Sequence, residues 1–340
     1  MSIATTNFAT LAKSMARTHG LPDLALVVIP HPLGGIVDEA VREKARKATD
    51  DLIAKATRAG AKADDQVAAS ESRVKVSGSA ADVTLAFYRR GWTDGLPIVP
   101  PTAEAVREML RGTDLAPGHS IGVMAPANGV LTIEKIAINA VMAGCRPTYL
   151  PVIIAALEGM LEKDFDLTGV QTSTGPHSPL VFINGPVRAQ IRLNGGSGAL
   201  GPGWQANAAI GRAVRLLQTN VGGAHIGTTD MTTLGMAENF TYCLAENEEQ
   251  SPWAPYHVDQ GFAAGDSTVS VMGGYAPEAV SDHIGVQPEE ILAVAVDVIV
   301  NLSRFHNRHT SHFIGRRSEE HTSELQSRLH LVWRLLLEKK

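Results

Sequence analysis

Apolar positions change spacing along the chain, and the changes mark its elements. Phe8, Leu11, Ala12 and Met15 recur at the spacing of one helical face. Leu24 to Ile29 is an apolar run of the length of a buried strand. Pro30-His31-Pro32 ends it, because proline offers no N–H to a sheet ladder. Gly34-Gly35 then permits a tight turn, and Val37 to Ala56 returns to an amphipathic helical pattern. Residues 1–60 therefore read as helix, strand, helix, and the small polar residues 61–79 read as a linker. Beyond it, Ala81 to Arg90 is predicted helical. The turn Gly91 to Pro101 leads to Thr102, whose hydroxyl can cap a helix carrying Glu104 and Glu108 in its first turns. Ile133 to Ala143 and Pro147 to Leu161 read as two helices joined at Gly144-Cys145-Arg146. Leu180 to Asn184 reads as a strand entered from Pro179, Ala206 to Asn220 as a helix behind a glycine-rich loop, and Glu289 to Leu302 as a helix behind Pro288.

This alternation predicts an α/β chain, with an N-terminal doubly wound remnant and a larger α/β or α+β domain. A strand stopping on a stiff, His-bearing turn at the mouth of a helix is where open α/β sheets place ligands. Hydrophobic residues make up 44% of the 340, enough for a substantial core. The net charge of −5 and the lack of a basic block argue against nucleic acid as a partner. No apolar run has the length of a membrane span. Two cysteines make no disulfide framework and suit a reducing cytoplasm.

Three groups of residues carry candidate chemistry. Asn194 to Gly203 is a glycine loop opening a helix. Its Gly195, Gly196, Gly198, Gly201 and Gly203 with Asn207 fit a small anion held on backbone N–H groups, with Arg212 or Arg215 adding a guanidinium. The spacing is neither the dinucleotide nor the P-loop pattern, and a loop that merely packs against a neighbour is the alternative. Cys145, between Gly144 and Arg146-Pro147, reads as a thiol at a helix start beside a guanidinium, hence a nucleophile or resolving thiol. A small buried cysteine at a tight turn is the alternative. Cys243 reads as strand core. His31, rigid between prolines, can donate a proton or simply bond a carbonyl. The remaining histidines show no metal-site spacing apart from His306, His309 and His312, spaced by three near the C-terminus and not assigned to a metal, and Asp230 and Glu246 read as single unpaired carboxylates. No cofactor is predicted from these residues.

Ile29-Pro30-His31-Pro32-Leu33-Gly34 resembles a segment of the selenoprotein B subunit of glycine, sarcosine and betaine reductases, and equally of the proteins named for a Sec-Gly-Ser-Cys motif, the UGSC family. Gly95 to Thr102, Ala140 to Pro147, Ile183 to Pro186, Gly201 to Gly203 with Asn207 and Gly211 to Arg215, and Ser251 to Trp253 resemble the large region that accompanies the motif domain. The resemblance implies the C-terminal part of a reductase-like α/β domain in residues 1–60, a linker in 61–80 and the family's C-terminal domain in 81–315. It implies a redox-active selenocysteine or cysteine upstream of Met1. Arg317 to Ser327 resembles a translated sequencing adapter, so residues 316–340 are set apart as an artefactual tail. The function expected is part of a thiol- or selenol-dependent oxidoreductase for a small anionic metabolite, served by a thiol reductant or assembled as a homo-oligomer. A cysteine-dependent hydrolase or lyase, or a binding subunit without chemistry, are the alternatives.

Overall fold

The structure is a computed structural model that describes residues 1–18, 20–33, 36–57, 74–277, 280, 282–307 and 331–335. The first unit is a small βαβα arrangement. Strand β1 (Ser2–Thr5) pairs in parallel with β2 (Leu26–Ile29), α1 (Ala9–Thr18) connects them and α2 (Asp38–Ala56) follows. The sequence pattern locates α1, β2 and α2 but not β1, whose four residues are too short to show a period. Val27 and Ile29 are buried, while Val28 between them is exposed, so β2 has one covered face. Lys55 on α2 donates to the Leu26 carbonyl (2.9 Å) and Lys44 to that of Pro32 (2.6 Å), tying the helix to the strand and its exit. Gly34 and Gly35 lie outside the described residues, as do residues 58–73 of the expected linker.

The larger body begins with α3 (Ala80–Arg89), fixed by a capping box in which Ser79 and Asp82 exchange hydrogen bonds. Thr102 Oγ1 accepts from Ala105 N–H and starts α4 (Ala103–Met109), as its position predicts. A hairpin of β3 (Ser120–Met124) and β4 (Gly129–Thr132) leads into α5 (Ile133–Ala143). The expected helix from Pro147 opens as a 3-10 turn over Pro147–Tyr149 and becomes α6 (Leu150–Leu161). Then come α7 (Leu167–Thr172), β5 (Ser178–Asn184), α8 (Val187–Gln190), α9 (Gln205–Asn220), β6 (Cys243–Ala245), α10 (Tyr256–Asp259), β7 (Ser267–Gly274), α11 (Pro288–Asn307) and β8 (Leu331–Leu335).

The sheet order is β6-β5-β7-β8, with β5 parallel to β6 and antiparallel to β7. Its edge strand β8 falls within the stretch set apart as a tail. Directly opposed residues of an antiparallel pair share a face. Val181 opposite Val271 and Ile183 opposite Val269 form an apolar face in the main core. α6 lies against β7 and α9, and α5 lies against α9. α6 is buried almost all round, which explains its lack of a polar stripe. The small parallel unit and the mixed sheet with its helices make an α/β chain of the kind the pattern predicts. Among the described residues no helix is long and apolar enough to cross a membrane.

Candidate functional site

The chain around Cys145 departs from the sequence reading. Gly144 adopts the left-handed conformation (φ 82°) that ends α5, and Cys145 N–H donates back to the Ala140 carbonyl (2.9 Å). Cys145 thus sits in the joint between the carbonyl end of α5 and the turn that opens α6, with Arg146 rather than Cys145 at the N-cap. Its Sγ–H donates to the Ala209 carbonyl on α9 (3.2 Å). Burial pushes the thiol well above its ordinary value, and the Arg212 charge opposes this only in part. The reactive-thiol assignment loses its physical basis. Cys243 is buried in β6, where burial and then the Cys145 charge raise its thiol too.

The two arginines expected to hold an anion are also committed elsewhere. Arg212 grips Asp94 through two bonds, Nε to Oδ2 at 2.7 Å and Nη2 to Oδ1 at 2.9 Å, and donates to the Pro97 carbonyl at 2.8 Å. That pins the Gly91–Pro101 turn onto α9. Arg215 pairs with the buried Asp230 at 3.2 Å. Both are structural ion pairs with little exposure.

The glycine loop largely satisfies itself. Asn207 Oδ1 accepts from Asn194 N–H (2.9 Å), and its Nδ2 donates to the Asn194 and Ala199 carbonyls (2.8 and 3.1 Å). Gly196 N–H is taken by Asn194 Oδ1 (2.9 Å) and Gly201 N–H by the Gly198 carbonyl (2.9 Å). Gly195 is a close-approach glycine, since a Cβ there would lie 2.6 Å from the Ala245 and Glu246 carbonyl oxygens. The Gly196 and Gly201 N–H groups and the Asn207 amide are therefore committed within the loop, and Gly195 is held by close packing. Gly203, at the end of the loop, faces a cleft.

Gly203 lines a cleft of about 220 Å³ together with Arg146, Thr148, Tyr149, Gln190, Ile191, Arg192, Trp204, Gln205 and Ala206. The lining contains two guanidiniums and no carboxylate. Among the described residues neither Arg146 nor Arg192 forms an ion pair, and both are exposed. Arg192 holds a left-handed backbone (φ 58°), where glycine or asparagine is the usual residue. Tyr149 is 3% exposed. Burial raises its phenol, while the nearby charges of Arg146 and Arg192 draw it down. Gln205 donates from Nε2 to the Gly144 carbonyl (3.3 Å), joining the start of α9 to the α5 cap beside Cys145. Sequence reasoning mentioned Arg146 only as a neighbour of Cys145 and missed Arg192, which nothing in the local sequence marks.

A second polar cluster stands where β5 and β6 end. Asn184 donates from Nδ2 to Glu246 and to Glu248 Oε1 (3.0 Å), and Arg188 bonds Glu248 Oε2 (2.6 Å). Tyr256 N–H donates to Glu246 Oε2 (2.8 Å). Glu246 and Asp230 are thus both partnered, contrary to their sequence reading. His257 is fully buried with Nδ1 3.9 Å from Glu248 Oε1. Asn184 Oδ1, Thr268 Oγ1 and Ser270 Oγ on the same side of the sheet have no hydrogen-bond partner among the described residues. Among the described residues no group of three or more His, Cys, Asp or Glu side chains is placed to hold a metal ion.

His31 belongs to the first unit. Its Nδ1 lies 3.1 Å from Thr5 Oγ1 and its N–H donates to Thr6 Oγ1 (3.1 Å). These bonds tie the exposed turn after β2 to the end of β1. His19, His309 and His312 lie outside the described residues.

The chain is an α/β protein with a carboxylate-free cationic cleft in its larger body. Residues 1–58 match the model of the UGSC family. No curated protein and no solved structure matches the chain.

Proposed function

We propose that the protein binds a small anionic metabolite between Arg146 and Arg192, as the substrate-holding part of a thiol- or selenol-dependent oxidoreductase of the UGSC type. The observation that carries this reading is the cleft itself, which gathers two unpaired guanidiniums and excludes carboxylates. Its volume of about 220 Å³ falls below the ~300–1,000 Å³ of drug-sized pockets, so the ligand is small. The raised thiol of Cys145 removes support from a hydrolase or lyase using that residue as nucleophile. The reducing group in this reading is the thiolate or selenolate that characterises the family, and the anion site presents substrate to it. Titration calorimetry of the full chain with acetate, succinate and phosphate tests the site. Saturable binding is expected. The double variant Arg146→Gln/Arg192→Asn should weaken it tenfold or more, on the order expected for losing charge-assisted bonds. Absence of binding by every anion at low salt would overturn the reading.

A further inference from the structure

We infer that the cleft selects a small dianion, with one negative charge for each of Arg146 and Arg192 and the Tyr149 hydroxyl as a further donor. This rests on the anion site proposed above and goes further in naming the charge of its ligand and a third contact.

Charge balance comes first. The two guanidiniums share one small cleft, and no acidic residue lines it. Arg46 on α2 bonds Glu39 and Glu43, and Arg111, just beyond α4, bonds Glu108. Arg146 and Arg192 have no such carboxylate partner among the described residues. A singly charged ligand would neutralise one of them and leave the other facing it across the cleft. A doubly charged ligand matches both.

Two further observations point to the same place. Arg192 occupies a left-handed position that a glycine or asparagine would adopt more easily. The fold holds it there through Leu193 N–H to the Arg188 carbonyl (2.8 Å) and Arg192 N–H to the Ala189 carbonyl (3.2 Å). Retaining a guanidinium at a strained position fits a role for the side chain. Tyr149 is 3% exposed and lines the cleft, and its hydroxyl has no hydrogen-bond partner among the described residues. A phenol so placed donates to an anion arriving between the arginines.

The cleft volume of about 220 Å³ accommodates a small anion such as inorganic phosphate or a short dicarboxylate.

The test compares anions at equal ionic strength and pH 7.5 on the full chain. Acetate and propionate supply one charge, malonate and succinate two on a carbon spacer, and phosphate up to two on one centre. Calorimetric dissociation constants at least tenfold lower for a dianion than for the monoanions are expected. The winner between succinate and phosphate separates a dicarboxylate from a phosphate site. Arg146→Gln and Arg192→Asn should each erase the dianion preference, leaving weak binding equal to that of acetate. Tyr149→Phe should weaken dianion binding about three- to tenfold, the range of one hydrogen bond, with an unchanged melting temperature in the absence of ligand. Equal affinity for monoanions and dianions would overturn the dianion inference while leaving the anion site standing. Binding of no anion would fail the proposed function itself. Dianion preference that survives both arginine variants would show that the charge selection lies elsewhere.

Discussion

At the scale of single residues, partners decide what the charged and nucleophilic side chains do. Four arginines surround α9 and its approach, and sequence alone ranks Arg212 and Arg215 first because they follow the glycine loop. The fold reverses this: Asp94 arrives from 118 positions away to occupy Arg212, and Asp230 occupies Arg215. A local reading could not see either carboxylate coming. The thiols follow the same logic. Cys145 was legible as a cysteine at the joint of two helices, but its packing against the Ala209 carbonyl of α9 was not. Both thiols are raised by burial, so the folded state holds them protonated while the unfolded chain ionises them from about pH 8.5 upward. A group raised in the fold contributes stability that is complete below its unfolded value and declines as pH climbs past it. Stability should therefore fall by about 1.4 kcal/mol per pH unit for each thiol above pH 8.5. Urea unfolding between pH 8 and 9.5 checks this. A Cys145→Ala/Cys243→Ala variant should lose the slope, and an equal slope in both proteins would show that the thiols ionise in the fold.

At the scale of elements, helices with an apolar stripe and a cap were legible and strands with polar buried residues were not. α5 has the predicted bounds, and α9 starts one residue early. β7 was missed because Thr268 and Ser270 alternate with Val269 and Val271, a pattern that suggests one wet face, although all four are buried. That polar face is buried too, against the cluster of Asn184, Glu246, Glu248 and His257. β3 and β4 were missed because they are short and sit between glycines. Gly211 in α9 shows the opposite tension between propensity and packing. A helix-interior glycine replaced by alanine ordinarily gains about 1 kcal/mol. Here a Cβ would lie 2.6 Å from Tyr242 N, on the chain entering β6. Gly211→Ala should therefore destabilise by about 1–3 kcal/mol, the cost of overpacking a fitted interface. Chemical denaturation reads the sign directly, and a gain would mean that α9 and the β6 approach can separate without loss.

At the scale of the whole molecule, burial is distributed very unevenly. The main core runs from Ile98 to Val271 and is built on α5, α6, α9 and the inner face of β5 and β7. In residues 1–57 the buried apolar side chains among the described residues are Ala16, Val27 and Ile29. A two-stranded sheet carried by so few buried groups has little free energy of its own. The segment that matches the UGSC family is thus the thinly packed one, and the cationic cleft belongs to the densely packed one. That contrast was half visible in advance: the apolar run of α6 announced a core, but nothing in the amphipathic pattern of α2 showed that its helix would have no fully buried residue. It leads to a graded order of opening. Amides of α1, β2 and α2 should exchange with deuterium at low opening free energy, while those of α5, α6 and α9 should wait for global unfolding. Exchange read by mass spectrometry on the full chain resolves the two sets of peptides. Protection of Leu26–Ile29 as strong as that of Leu150–Leu161 would mean that the first unit draws its stability from contacts beyond its own three buried side chains. A cleft ligand should slow exchange at the start of α9 and around Arg146 and Arg192, because binding to the folded state lowers the population of every opening that destroys the site.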